Sequence, residues 1–181
     1  ANALANAAAE LPSASEAAAT DDIPAIDVGV EQALVWTAQH SAKVWIVAVS
    51  PDGALVAAGD YANAVVVYDA ADGHVVWEKR TWSGKGAPFT WGLRFSGDSG
   101  SLAIGHWDSY AYVYDTASWR ERAAIKRGDR VYSVALDKTG AHLAVGGRDK
   151  IAIVYALEDG RHGRGGAAAP AVEMEVAIGS F

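Results

Sequence analysis

The chain repeats itself along most of its length, with a step of 46 residues followed by one of 41. Each repeat contains a short apolar or β-branched run that ends in tyrosine, with a glycine and an aromatic residue in the same register. These recurring positions are Tyr68, Tyr114 and Tyr155; Gly59, Gly105 and Gly146; and Trp45, Trp91 and Tyr132. A period in the low forties built from strand-like segments is typical of propeller blades, so the repeat predicts an all-β fold.

Each repeat also contains segments rich in Val, Ile, Tyr and Trp that are separated by turn residues. The first two repeats predict strands at 44–50, 54–59, 64–69, 74–79, 89–96, 101–105, 110–115 and 119–124. The third predicts strands at 130–137, 141–146 and 151–156, with 171–178 as a later outer strand. Residues 32–37 predict the outer strand of a preceding blade. The predicted fold is therefore a partial β-propeller of about three four-stranded antiparallel blades.

Composition divides the chain into three parts. Residues 1–25, with eleven alanines, predict an acidic Ala-rich arm or linker; residues 26–160 predict the blades; residues 161–181 predict a Gly/Ala-rich loop and a final strand. Three blades leave two open sheet faces and exposed strand edges, which are an aggregation hazard. We therefore expect partner subunits, or further blades of a longer protein, to cover these faces.

The charge distribution argues against a nucleic-acid partner. The net charge is -7, but residues 1–42 hold six acids and no Lys or Arg, which leaves 22 − 6 = 16 acids against 15 bases in the remainder. One basic cluster is interrupted by acids and is interpreted as a solvated loop face; it comprises Arg120, Arg122, Lys126, Arg127 and Arg130. Without a basic stripe the chain offers little of the phosphate attraction that dominates nucleic-acid affinity.

Two absences limit the other classes of function. The chain has no cysteine, which excludes disulfides and thiolate metal sites and leaves the compartment open. No apolar run approaches the ~20 residues that a membrane helix requires, so we expect a soluble or peripheral chain with no transmembrane segment.

Little in the sequence indicates catalysis, a cofactor or a metal. The histidines are scattered, and only His106 is interpreted as having a nearby carboxylate, that of Asp108, which also suits a turn. The run from Gly97 to Ser101 contains the letters of a serine-hydrolase motif, but it aligns with a turn between strands. The sequence therefore predicts no catalytic residue, no cofactor and no metal site.

The first repeat resembles the WD-repeat β-propeller family. His40 precedes the innermost strand, and the turn Ser50-Pro51-Asp52-Gly53 follows it, as in the opening pattern of that family. Tyr68-Asp69 and Tyr114-Asp115 stand where the family has its Trp-Asp pair. The resemblance covers about residues 35–160 and implies a non-catalytic propeller that binds other proteins.

The resemblance also implies residues that tie the strands of each blade together. The structural positions are His40, Asp108, Asp149, Tyr68, Tyr114 and Tyr155. Ala62 stands at the acid's position in the first repeat, whereas Gly86 and Arg127 stand at the histidine's position in the other two. Because no repeat has the full set, the sequence predicts degenerate blades held mainly by apolar packing.

Two columns of the repeat are candidates for contact with a partner. Trp45, Trp91 and Tyr132 lie one residue after the start of the innermost strands; Tyr61, Trp107 and Arg148 follow the terminal glycine of the second strands. By the geometry of the family both columns lie at the same mouth of the propeller. Aromatic and Arg side chains dominate interface hot spots, so we predict that this mouth binds protein subunits or peptides. Packing between blades is the alternative for the first column.

Three functions remain open on the sequence alone. The first is a non-catalytic scaffold or subunit of a larger complex. The second is a regulatory propeller segment of a longer protein that is fused to a catalytic domain. The third is a quinoprotein-like propeller, because Tyr68 to Trp77 resembles a blade ending of that family, although this stretch occurs only once. Titration with calcium and quinone would test the third.

Overall fold

The computed structural model describes residues 33–80, 90–157 and 171–177. The chain divides into two units after Ala33, and the architecture below belongs to the second, Leu34–Phe181. The predicted arm at 1–25 lies outside the described residues. None of the described residues forms a helix that could cross a bilayer.

The described residues contain twelve strands, which form three antiparallel sheets of four. The first sheet contains β1 (Val44–Val49), β2 (Leu55–Asp60), β3 (Ala64–Asp69) and β4 (Val75–Arg80). The second contains β5 (Thr90–Phe95), β6 (Ser101–His106), β7 (Tyr110–Asp115) and β8 (Glu121–Lys126). The third contains β9 (Val131–Leu136), β10 (His142–Gly147), β11 (Ile151–Ala156) and β12 (Ala171–Ala177). The predicted all-β fold of partial propeller blades is confirmed.

The sheets stack through faces of different character. We call the side of a sheet that contacts the next sheet its forward face, and the opposite side its rear face. Small and medium residues of one forward face, such as Ala57 and Val65, pack against larger residues of the next rear face, such as Leu93 and Ile104. The second forward face meets the third rear face in the same way, through Ala103, Ala111, Val113 and Ile125 on one side and Val131, Val134, Leu143 and Val145 on the other. Each interface is therefore a dry apolar layer.

The innermost strands β1, β5 and β9 lie side by side, and the turns that follow them also meet. In the first turn the Ser50 hydroxyl donates to Asp52 Oδ1 (2.5 Å) and accepts from the Leu55 amide (2.9 Å). The third turn uses an aspartate in place of the serine: Asp137 accepts from the Ala141 amide (2.8 Å), and its hydrogen bond with His142 lowers the pKa of Asp137 to about 2. The tight turn needs a left-handed residue at Gly53 and at Gly140, where glycine adopts positive φ without strain.

The predicted outer strand at 32–37 is not formed by its described residues, since 33–39 lie outside any strand. Trp36 nevertheless packs on Tyr68, with ring centroids 5.5 Å apart, and its Nε1 donates to the Ala70 carbonyl (2.9 Å). Trp77 of β4 packs on Tyr114 of the second sheet in a comparable way (4.8 Å). Trp36 therefore occupies the position that the outer-strand tryptophan of a preceding blade would occupy. The described segment around Trp36, however, does not pair with another strand.

Candidate functional site

Five aromatic side chains form a continuous ladder at the end of the sheets where the innermost strands begin. We call this set the aromatic ladder: Tyr61, Trp45, Trp91, Trp107 and Tyr132. Trp45 lies edge-on to Tyr61 and to Trp91, at 5.6 Å between ring centroids in both cases. Trp91 in turn stacks near Trp107 (6.2 Å, 12° between planes) and contacts Tyr132 (5.3 Å). Edge-to-face and offset stacks at these distances are favourable arrangements of aromatic rings.

A β-bulge explains why the innermost strands present these rings together. In β1 the pairing with β2 skips Trp45, in β5 the pairing with β6 skips Trp91, and in β9 the pairing with β10 skips Tyr132. A bulged residue leaves the strict alternation of a strand and re-aims its side chain. The bulges therefore place one aromatic ring from each sheet at the same end.

The ladder is only partly covered by the chain itself. Trp45 is 50% exposed and Tyr132 is 39% exposed, while Tyr61, Trp91 and Trp107 are half-buried. Large aromatic side chains are normally buried on folding, so a contiguous set that remains in water is a candidate contact surface. The two predicted columns thus meet in one surface, apart from Arg148.

Arg148 lies beside the aromatic ladder, where its amide donates to the Arg130 carbonyl (2.9 Å), and Arg130 is the arginine that lies over a ring. The Arg148 Nη1 lies 3.8 Å from Asp129 Oδ2, in an exposed pair. The guanidinium carbon of Arg130 lies 3.4 Å from the centroid of the Trp107 ring, a close cation–π contact. The sequence pattern predicts Arg130 in a solvated basic face. Arg130 directly precedes β9 and lies beside the column of Trp107. From this position in the sequence its contact with the aromatic residues could have been predicted.

Each sheet contains a polar tie, although the sequence predicts that no repeat has the family's full set of tie residues. In the first sheet His40 Nδ1 lies 3.2 Å from Asp60 Oδ2, and His40 Nε2 lies 2.8 Å from the Tyr68 hydroxyl. Asp60, the last residue of β2, thereby takes the role that the alignment had sought at Ala62. The Asp60 carboxylate is 1% exposed and also accepts the amides of Ala62 and Ala64, so it is well satisfied.

The second sheet builds its tie from a different histidine. His106 is fully buried, and its Nδ1 lies 3.0 Å from Asp108 Oδ1. The Tyr112 hydroxyl donates to Asp108 Oδ2 (2.8 Å). The pKa of Tyr112 is raised above its usual value, mainly by burial and secondly by this hydrogen bond. Tyr114 instead donates to Glu121 Oε2 (3.1 Å). The tyrosine that contacts the tie's acid is therefore Tyr112 rather than Tyr114.

The third sheet replaces histidine with arginine. Arg127 Nη2 donates to Asp149 Oδ2 (2.7 Å), and Nη1 donates to the Tyr155 hydroxyl (2.9 Å). The Arg127 side chain is 4% exposed. Arg127 therefore belongs to the buried tie and not to a solvated face, which corrects the interpretation of the basic cluster. A buried arginine requires such partners because an unpaired buried charge is strongly destabilising.

Several histidines lie beside carboxylates, whereas the sequence indicates such a neighbour only for His106. His74 Nδ1 lies 2.6 Å from Asp72 Oδ1, and ligand atoms of Asp69, Asp72 and His74 lie within 4.8 Å of one another. Asp69 accepts the amide of Ala71, and Asp72 accepts the amide of His74. Asx turns of this kind account for the cluster without an ion.

Comparison with known protein families bears on the whole arrangement. The family model described as "WD domain, G-beta repeat" matches residues 32–69 and 124–155. These segments contain the tie His40–Asp60–Tyr68 and the tie Arg127–Asp149–Tyr155. These two segments are WD repeats. A comparison with curated proteins gave no match.

The WD repeats give a general expectation of function. Such repeats commonly mediate protein–protein interaction or scaffolding, and proteins built from them are typically non-catalytic. The second sheet lies between the two matched segments and has the same strand order as the first. Its tie of His106 and Asp108 departs most from the pattern of the other two.

Proposed function

We propose that this WD-repeat chain is a non-catalytic scaffold that binds a protein or peptide through its aromatic ladder. The observation that carries the proposal is the exposure of Trp45 and Tyr132 within one continuous set of contacting aromatic rings. The bulges in β1, β5 and β9 hold these rings on a rigid sheet framework. Binding would therefore cost little conformational entropy.

Charge suggests what a partner segment would offer to this surface. Arg130 lies over Trp107, and the exposed pair of Arg148 and Asp129 stands beside the start of β9. A segment with apolar or aromatic side chains for the rings, and a carboxylate for the arginines, matches this chemistry. Arg148, Tyr61 and Trp107 would contribute at the rim of the ladder, with Trp45, Trp91 and Tyr132 at its centre.

The test uses peptides selected by display against the immobilised 181-residue chain, with affinities measured by calorimetry. We expect Trp45→Ala and Tyr132→Ala to weaken a selected peptide by roughly 10-fold or more, as interface anchors do. We expect Tyr61→Ala and Trp107→Ala to act in the same direction.

Val75→Ala is the matched control, because Val75 is 56% exposed and begins β4 at the opposite end of the first sheet. Thermal unfolding of every variant separates lost binding from lost folding. Unchanged affinity in the folded Trp45 and Tyr132 variants would contradict the proposal. Unfolding of these variants would instead assign the ladder to the core.

A further inference from the structure

The rear face of the first sheet exposes side chains that the other two sheets bury. Val44 corresponds to Thr90 and Val131, and Val47 corresponds to Leu93 and Val134, by the steps of the repeat. Thr90, Val131 and Leu93 are 0% exposed and Val134 is 3% exposed, because each packs against the preceding sheet. Val44 is 45% exposed and Val47 is 60% exposed. Two apolar positions built for a sheet interface thus lie in water.

The forward face of the third sheet shows the complementary feature. A Cβ placed on Gly59 would lie 3.1 Å from the Thr90 side chain, and one on Gly105 would lie 2.9 Å from Val131. Glycine at these positions thus makes room for the first residue of the following sheet. The equivalent glycine of the third sheet is Gly146, and no atom of the described residues lies within 4 Å of its Cβ position.

The residues around Gly146 are small, as expected of a sheet face that receives larger side chains from a neighbouring sheet. Ala144 and Ala152 lie on the same side as Gly146, as the alternation and the cross-strand pairing of β10 and β11 require, and both are exposed. The equivalent residues of the second sheet, Ala103 and Ala111, are fully buried in the interface with the third. The glycine also lies in a shallow open depression whose lining includes Ala152.

We propose that the forward face of the third sheet binds the rear face of the first sheet of a second copy of this chain. Val44 and Val47 of one copy would pack over Gly146 of the other, as Val131 and Val134 pack over Gly105 within the chain. The contact is head-to-tail, and such an interface closes into a ring when the rotation allows. The three described sheets of each of two copies would together supply six blades, within the 4 to 8 of known propellers.

At the outer edge of this proposed interface, part of the rear face is already covered by Trp36. Trp77 of one outer strand packs on Tyr114 of the next sheet, and Trp36 already occupies the equivalent place on Tyr68. In the dimer the segment containing Trp36 would meet the outer edge of the partner's third sheet, where β12 pairs with β11. The proposed contact is therefore made by β1, whose Val44 and Val47 remain exposed, because Ala58, Val66 and Tyr68 of the same face are already buried with Trp36.

The first experiment measures the mass of the 181-residue chain by light scattering after size exclusion. We expect twice the chain mass of 18.9 kDa. Val47→Asp and Gly146→Trp should each weaken self-association by at least about 100-fold. Val47→Asp would bury an unpaired carboxylate in the interface, and Gly146→Trp would fill the space above Gly146 that the partner's valines need. Both positions are open in the single chain, so both variants should fold, as circular dichroism would check. Ala124→Asp is the control, at an exposed position of β8 on the middle sheet.

Mixing the two variants distinguishes a head-to-tail contact from a face-to-face one. A pair of one Val47→Asp chain and one Gly146→Trp chain retains one intact interface, so the mixture should recover a heterodimer that neither variant forms alone. A wild-type monomer at all concentrations would overturn the proposal. A dimer that responds to Val47→Asp but not to Gly146→Trp would overturn it as well, and so would a mixture that stays monomeric. The result is independent of peptide binding at the aromatic ladder.

Discussion

Three different residue pairs perform one task, one pair in each sheet. His40 with Asp60, His106 with Asp108, and Arg127 with Asp149 each hold a buried carboxylate beside a cationic or imidazole group. A tyrosine hydroxyl completes each set. The shared requirement is that every buried polar atom finds a partner, and several combinations of side chains satisfy it.

At the residue scale the third tie makes the sharpest prediction. Asp149→Asn removes the charge that balances buried Arg127, so we expect a loss of about 3 kcal/mol in the free energy of unfolding. Asp129→Asn is the matched control, because its pair with Arg148 is exposed, and we expect a change below about 0.5 kcal/mol there. Urea unfolding at neutral pH measures both variants. Equal effects would show that burial does not govern these pairs.

At the scale of the elements the second and third sheets each have a forward face of mostly small residues and a rear face of large ones. The asymmetry lets large side chains of one sheet rest on a nearly flat neighbour, which suits stacked sheets at their usual close spacing. The packing of one sheet on the next uses a glycine in the second strand, and the innermost strand adds a bulged aromatic residue. The two features lie at the same end of each sheet.

Equivalent glycines should therefore respond differently to the same substitution. Gly105→Val places methyl groups against Val131 and Val134, which approach the Cβ position to 2.9 and 3.2 Å, so we expect destabilisation by about 2 kcal/mol. Gly146→Val meets no described neighbour and should change stability by less than about 1 kcal/mol. Thermal unfolding at a dilution that suppresses self-association makes the comparison. Similar losses at both sites would contradict the packing account.

At the scale of the whole molecule the sheets are joined by their inner strands and by aromatic contacts between outer parts. Trp77 of the first sheet stacks on Trp119 of the second (5.0 Å, 16° between planes) and packs on Tyr114 (4.8 Å). Leu93, Phe95 and Leu102 continue the same apolar layer. The first two sheets should therefore unfold as one unit.

Trp77→Ala tests this coupling. The substitution leaves a cavity between two sheets, so we expect a loss of about 3 to 5 kcal/mol and a broader or biphasic urea transition. Trp45→Ala is the matched control, because half of that side chain already lies in water and its loss should cost about 1 kcal/mol. A single sharp transition with a small loss in Trp77→Ala would mean that the inner strands alone couple the sheets.

The strands themselves were predictable because the signal is local. Ala64–Asp69, Tyr110–Asp115 and Ile151–Ala156 agree with the predicted bounds, since alternation and flanking turn residues act over only a few positions. The end at which Trp45 and Tyr61 meet was predictable as well, from their place at the start of one strand and the end of its neighbour. The bulge at Trp45 was not, because it depends on the pairing of two strands rather than on either one.

The repeat in the sequence by itself determined the blades, their order and the aromatic columns. Only the tertiary structure decided which side chains meet: Asp60 with His40, Arg127 with Asp149, and Arg130 over Trp107. These partners lie about 20 positions apart along the chain, and a shift of one residue or one rotamer exchanges one candidate for another. Periodicity constrains backbone elements, whereas the choice among nearby polar partners depends on distances of a few ångströms that packing alone sets.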